Sequence, residues 1–117
     1  QQQALLSATM EAADVPVVIT DEARRIIYVN PPFLLEYGYA PDEVLGRRPC
    51  TLLQSPLSDE ASVRRLQEAV DAGIPATATL IYQRKDGTLL DVEIFLSPVR
   101  DGAGRTTHYV AVLRGHL

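Results

Sequence analysis

The sequence of 117 residues contains a single cysteine, Cys50, and a single lysine, Lys85. One cysteine forms no disulfide within the chain, which suits a reducing cytosol, so we expect a cytoplasmic location. No apolar run approaches the roughly 18 residues that cross a bilayer, and the N-terminus has no secretion signal, which predicts no membrane contact by this domain. Nearly all basic residues are arginines. This bias indicates a GC-rich bacterial genome.

Concentrated positive charge is also missing. The net charge is −4, and the largest basic clusters are the pairs Arg47-Arg48 and Arg64-Arg65. Such a chain has little electrostatic attraction for nucleic acid or acidic lipid, so we expect no nucleic-acid partner.

The usual arrangements of catalytic residues are absent as well. Gly102 and Gly104 fall between predicted strands and not before a helix, where a phosphate-binding loop would lie. The acidic residues form no pair with a matching histidine or nucleophile; those considered are Asp14, Asp21, Asp91 and Glu93. We therefore expect no enzymatic activity of the domain itself.

What the sequence does have is the composition of one folded domain, with 46% hydrophobic and 22% charged residues. Its hydrophobic periodicity predicts a definite order of elements. These are an amphipathic helix over 4–13, strands over 16–20 and 25–29, short helices over 30–37 and 40–45, a longer helix over 58–73, and strands over about 77–84, 88–98 and 106–114. This order predicts an α+β fold with an antiparallel sheet and helices on one face.

The boundaries of these elements carry recognisable signals. Asn30 and Ser58 are suitable N-caps for the helices that follow them, and Gly73 is a suitable stop. Asp-Gly sequences at 86–87 and 101–102 are typical of turns between antiparallel strands.

At the level of ordered motifs, the sequence resembles the PAS family over roughly residues 12–114. The matching segments are Ile19-Thr20-Asp21, 26–30, Tyr37-Gly38-Tyr39, Glu43-Val44-Leu45-Gly46, 84–88, and 97–101 with Gly104. The resemblance implies a PAS-like five-stranded antiparallel sheet around a small cavity. It implies a flanking N-terminal helix over 1–13, a PAS domain over 14–117, and a sensory role in a larger signalling protein such as a histidine kinase or diguanylate cyclase.

The family's cavity lies between the sheet and the helices, and a wall assembled from this sequence is mostly apolar. A small apolar ligand would suit such a wall, with the hydroxyls of Thr20 and Tyr82 orienting it. The alternative is a purely structural interaction module whose side chains fill the space. The expected lining residues are Val18, Thr20, Cys50, Leu53, Leu66, Val70, Leu80, Tyr82, Val92, Ile94, Leu96 and Leu113.

Members of the family commonly dimerise through the outer face of the sheet and a preceding helix. Both faces of the last predicted strand are apolar. One face should pack on the core of the domain, so another surface should cover the opposite face. The resemblance therefore implies a homodimer and an attached output domain as partners, with contacts at Leu5, Leu6, Met10, Val110 and Val112.

A partial resemblance to the LOV branch concerns a cofactor. Cys50 and Gln54 match the photoactive cysteine and a glutamine of LOV domains, which bind flavin mononucleotide. The residues that should hold the flavin are replaced, by Thr51 and Gln67 at its phosphate and by Tyr82, Val92 and Leu113 along its ring.

We therefore expect no cofactor, with a flavin-binding light or redox sensor as the alternative, and we expect Cys50 to be a small buried hydrophobic residue. Haem is disfavoured. The histidines, His108 and His116, lie on or after the last strand, and the 58–73 helix has none.

Overall fold

A computed structural model of the protein describes residues 15–115. Within them, strands and helices follow the predicted order and give an α+β fold. The elements are β1 (Val17–Asp21), β2 (Ile26–Val29), α1 (Pro31–Tyr37), α2 (Pro41–Val44), α3 (Pro49–Leu52), α4 (Glu60–Ala72), β3 (Ala76–Gln83), β4 (Leu89–Arg100) and β5 (Thr106–Gly115). No helix of this part of the chain has the length and apolar character needed to cross a membrane.

The five strands form one antiparallel sheet in the order β2-β1-β5-β4-β3. The first and last strands are neighbours, with Val18 opposite Ala111. The helices connect the two edge strands, β2 and β3, and so must cross one face of the sheet. This crossing positions α4 beside β3.

The core lies between that face and the helices. On β4, Val92, Ile94 and Leu96 are at most 2% exposed, whereas Asp91 on the opposite face is exposed. Burying alternate side chains of a strand against helices is what the period-two pattern predicts. From the helical layer, Phe33 enters the core and its ring stacks on another aromatic ring of α1 with centroids 4.8 Å apart.

The opposite face of the sheet also carries apolar side chains. Val110 and Val112 lie on it and are half-buried, and Val112 is paired with Phe95 on β4 and Val17 on β1. Leu5, Leu6 and Met10, together with the predicted helix over 4–13, lie outside the described residues. The dimer contact and the domain boundaries at 13 and 14 stay predictions.

The caps of the helices are partly as predicted. Asn30 caps α1, because its side chain accepts a hydrogen bond from the Phe33 amide at 3.2 Å. The prediction that Ser58 caps α4 is wrong: the cap is Asp59, whose carboxylate accepts from the Ser62 amide at 3.0 Å. Ser58 instead exchanges two hydrogen bonds with the backbone of Ile81, which fastens the start of α4 to β3.

The segment between α3 and α4 is fastened to β3 in the same way. The Gln83 amide donates to the Leu53 carbonyl at 2.7 Å, and the Ser55 amide donates to the Ile81 carbonyl at 2.9 Å. The helix α3 was missing from the predicted elements, since four residues beginning with proline leave almost no periodic signal.

Candidate functional site

A cleft of about 310 Å³ opens between the β1–β2 turn, α3, α4 and β3. The helix α4 contributes apolar side chains, among them Leu66 and Val70, and β3 contributes Leu80 and Tyr82. Cys50 lies at the wall formed by α3. These five residues belong to the predicted cavity lining, and the structure brings them together around one opening.

A second, smaller space lies deeper in the domain. Beneath the cleft lies a void of about 20 Å³, room for about one water molecule. Thr20 and Val92 are fully buried and border neither space. Of the predicted lining, the residues that border the void are Val18, Leu53, Leu66, Tyr82, Ile94, Leu96 and Leu113.

Polar residues also line the cleft, and the sequence analysis missed the charged ones among them. Gln54 and Gln67 lie at its edge, and four charged residues line it: Glu22, Arg24, Arg48 and Asp71. The expected mostly apolar wall is therefore only one part of this opening, and the charged residues are an addition to it. These residues come from a turn, a loop and the solvent side of a helix, where charges are ordinary in a sequence. Only their tertiary placement shows that they surround one space.

Arg24 differs from the other three charged residues because it is half-buried while they are exposed. It borders both the cleft and the void beneath, so its side chain reaches the inner end of the cleft. Its Nη1 lies 3.3 Å from Thr20 Oγ1, and its guanidinium carbon lies 5.5 Å from the centroid of the Tyr109 ring. Burial lowers the pKa of Arg24 from its ordinary value.

No carboxylate between residues 15 and 115 forms an ion pair with Arg24. The ion pairs found there are Arg84 with Glu36 at 3.0 Å and Lys85 with Glu43 at 2.6 Å, both on the surface. A half-buried cation is usually paired, because removing a charge from water is costly. Among the described residues, Arg24 contacts a hydroxyl and an aromatic face, which leaves part of its hydrogen-bonding capacity available to the cleft.

Cys50 is exposed, so the expectation that it packs as a small buried hydrophobic residue is wrong. The reason is local. Pro49, which begins α3, takes the buried position, and the next residue of the helix faces outward. Cys50 and Gln54 both lie on the wall of the cleft.

Three of the residues that replace the flavin-holding side chains of LOV domains are buried. Val92 and Leu113 are at most 2% exposed, and Tyr82 is 6% exposed. Burial raises the pKa of Tyr82, so it stays a neutral phenol at physiological pH. At the three positions that match ring-holding residues of LOV domains, this chain therefore offers a single hydroxyl, that of Tyr82.

Residues that could ligate a metal are scattered. His108 is half-buried on β5, where its Nδ1 lies 2.9 Å from Thr107 Oγ1, and His116 lies outside the described residues. Across 15–115, no three histidine, cysteine, aspartate or glutamate side chains are grouped as a metal site would require.

Comparison with known proteins gives the family. The sequence model of the PAS domain matches residues 14–114. A blue-light-activated histidine kinase of Brucella canis is 35% identical over 107 residues, which cover 89% of this chain and 22% of that protein. A nitrogen fixation regulatory protein of Klebsiella oxytoca is 32% identical over 97% of this chain and 23% of its own length.

Among solved structures, one described as "Flavin Analogue Sheds Light on Light-Oxygen-Voltage Domain Mechanism" superposes with a TM-score of 0.88. It is 32% identical and covers 97% of this chain and 85% of that one. The family model, the curated relatives and the superposed structure agree, and the chain therefore belongs to the PAS domain family.

Proposed function

We propose that a small organic molecule bound in the cleft is the input to this sensory domain. The observation that supports this most directly is the cleft itself, whose volume of about 310 Å³ lies within the range of small-molecule pockets. It combines an apolar floor with a few polar groups at its rim and inner end, the usual composition of such pockets.

The position of the cleft also suits signal transfer. Its floor includes Leu80 and Tyr82 of β3, which pairs with β4, which in turn pairs with β5. A ligand that pushes on β3 therefore acts on a continuous sheet whose outer face carries Val110 and Val112. A contiguous packed network is the physical means by which such a push is transmitted.

The rest of the signalling protein is part of the proposal. This chain spans less than a quarter of the length of the two curated relatives described, 22% and 23%. We infer an attached output domain, a histidine kinase or a cyclase, with a homodimer formed through the outer face of the sheet, in the cytoplasm of a bacterium. The catalytic step would belong to that output domain.

A flavin-based light sensor is the second candidate. The relatives named for blue light favour it, and Cys50 and Gln54 both lie on the cleft. The interior does not fit the group, however. Of the residues that match the flavin-holding positions, Gln67 on the cleft is uncharged, and Tyr82, Val92 and Leu113 offer one hydroxyl between them. We therefore favour a small organic ligand other than a flavin.

A visible spectrum and native mass spectrometry of the purified protein test both candidates. We expect a colourless protein, and a melting temperature that rises with a subset of small molecules in a thermal-shift screen. A yellow preparation that bleaches in blue light would replace this proposal with the flavin candidate. A screen in which no compound raises the melting temperature would favour the third candidate, an interaction module with a filled interior.

A further inference from the structure

Two hairpins of this protein contain the same turn. In the loop 21–25, Asp21 N donates to Arg25 O at 2.9 Å, and its Oδ1 accepts from Ala23 N and Arg25 N. In the loop 101–105, Asp101 N donates to Arg105 O at 2.9 Å, and its Oδ1 accepts from the equivalent two amides. Both are three-residue loops whose last residue has a left-handed conformation.

The residue in the left-handed position differs between the two turns. It is Gly104, with φ of +81°, in one turn and Arg24, with φ of +67°, in the other. Arg24 is the only non-glycine residue in 15–115 with a positive φ. Glycine adopts this conformation without a steric penalty, whereas a side chain is strained in it. The turn itself therefore does not favour arginine.

Arg24 combines this backbone strain with a guanidinium that is partly removed from water and has no carboxylate partner among the described residues. Strain of this kind persists where surrounding contacts compensate for it, and it concentrates at ligand-binding sites. Thr20 and Tyr109 compensate for part of it. The guanidinium borders the inner end of the cleft, and it has N–H groups for which residues 15–115 provide no acceptor. A molecule bound in the cleft would provide that acceptor.

The charges around the opening define that partner further. Arg24 and Arg48 are balanced by Glu22 and Asp71, so the lining has no net charge. A doubly charged phosphate at the inner end would be only half neutralised by Arg24. A single negative charge at the same place is matched by Arg24. The remaining wall accepts an apolar body, because Val63, Leu66 and Val70 of α4 face Leu80 of β3 across the cleft.

We propose that the ligand is an organic monocarboxylate, with its carboxylate paired to the Arg24 guanidinium and an aromatic or aliphatic body between α4 and β3. The fork of an arginine matches a carboxylate in a two-point hydrogen-bonded pair. The inference rests on the proposed function, since it names the chemistry of the molecule that the same cleft receives.

Isothermal titration of the whole chain with matched probes tests it. The probes are phenylacetate against phenylacetamide, octanoate against octanol, and inorganic phosphate. The variants are Arg24→Gly, which reproduces the turn at 101–105, and Arg24→Gln, which keeps the length without the charge. Arg25→Ala is the control, because Arg25 occupies the same turn, is exposed and does not line the cleft.

We expect at least one carboxylate to bind more tightly than its neutral counterpart. We expect both Arg24 variants to lose this binding by about 10- to 100-fold, the effect of one hydrogen-bonded charged pair. The Arg25 control should bind as the unaltered protein does. Equal binding of acids and neutral analogues, unaffected by Arg24→Gln, would overturn this inference and leave the ligand-binding function standing. Preferential binding of phosphate would overturn the carboxylate, and failure of every probe would count against both proposals.

Discussion

The strain of a side chain in the left-handed position of the two matching turns can be measured by substitution, without any ligand. A left-handed conformation costs a residue with a Cβ about 1–2 kcal/mol in the folded state. Replacing glycine by alanine also makes the unfolded chain less flexible, which stabilises the folded state and offsets about 0.5–1 kcal/mol of that cost. A Cβ at Gly104 would meet no atom within 4 Å, so Gly104→Ala has no steric clash to add. We therefore expect Gly104→Ala to lower the free energy of unfolding by about 1 kcal/mol.

The same comparison at the other turn is made between two variants. Arg24→Ala and Arg24→Gly both remove the guanidinium and its contacts with Thr20 and Tyr109, so those losses cancel. Arg24→Gly should be the more stable by about 1 kcal/mol, or about 4 °C in melting temperature for a domain of this size. Urea denaturation followed by circular dichroism measures both differences. If Arg24→Ala proves as stable as Arg24→Gly, the strain argument fails.

Three further outcomes are expected. Asn30→Ala should lower the free energy of unfolding by about 2–3 kcal/mol in urea, because its buried side chain bonds to three backbone groups that would lose their partner; unchanged stability would contradict this role. Cys50 should react in the folded protein with an aromatic disulfide reagent at a rate close to that of the unfolded chain, and a cleft ligand should slow it. The pKa of Glu43 is lowered because its carboxylate accepts hydrogen bonds, first from the Ala40 amide and second from the Lys85 ammonium group. Glu43 therefore contributes to the free energy of unfolding above its ordinary pKa of 4.5, and this contribution is lost as the pH falls through the lower pKa of the folded state. Glu43→Gln should therefore flatten the acid side of the stability profile, and an unchanged slope would refute it.

The fold could be predicted because its signals are local. A cap, a stop glycine and a run of helical spacing mark α4 within one residue or two, and Asp-Gly turns separate the last three strands. The error at the start of α4 has a physical cause. Ser58 and Asp59 are both good caps, and only the pairing of Ser58 with the backbone of Ile81 on β3 decides between them.

The chemistry of the cleft could not be predicted in the same way. Arg24 is one of several charged residues in a short polar loop, and nothing in that sequence shows that its backbone is left-handed or that its side chain turns inward. Arg24 and Gly104 occupy equivalent positions in their turns by hydrogen bonding and by φ, but their residue types differ. Cys50 was misjudged for a related reason, since burial of the neighbouring Pro49 decides which way the thiol faces.

The placement of β1 between β2 and β5 has a consequence for how the domain folds. The β1–β2 hairpin is the first part of the sheet to be synthesised. One edge of β1 stays unpaired until β5 is present, because Val17 of β1 pairs with Val112 of β5, nearly at opposite ends of the described residues. Closing so long a loop is slow compared with forming local contacts. The sheet is thus completed only once β5 has been synthesised, and a nascent chain lacking β5 exposes an apolar edge on which other chains can aggregate.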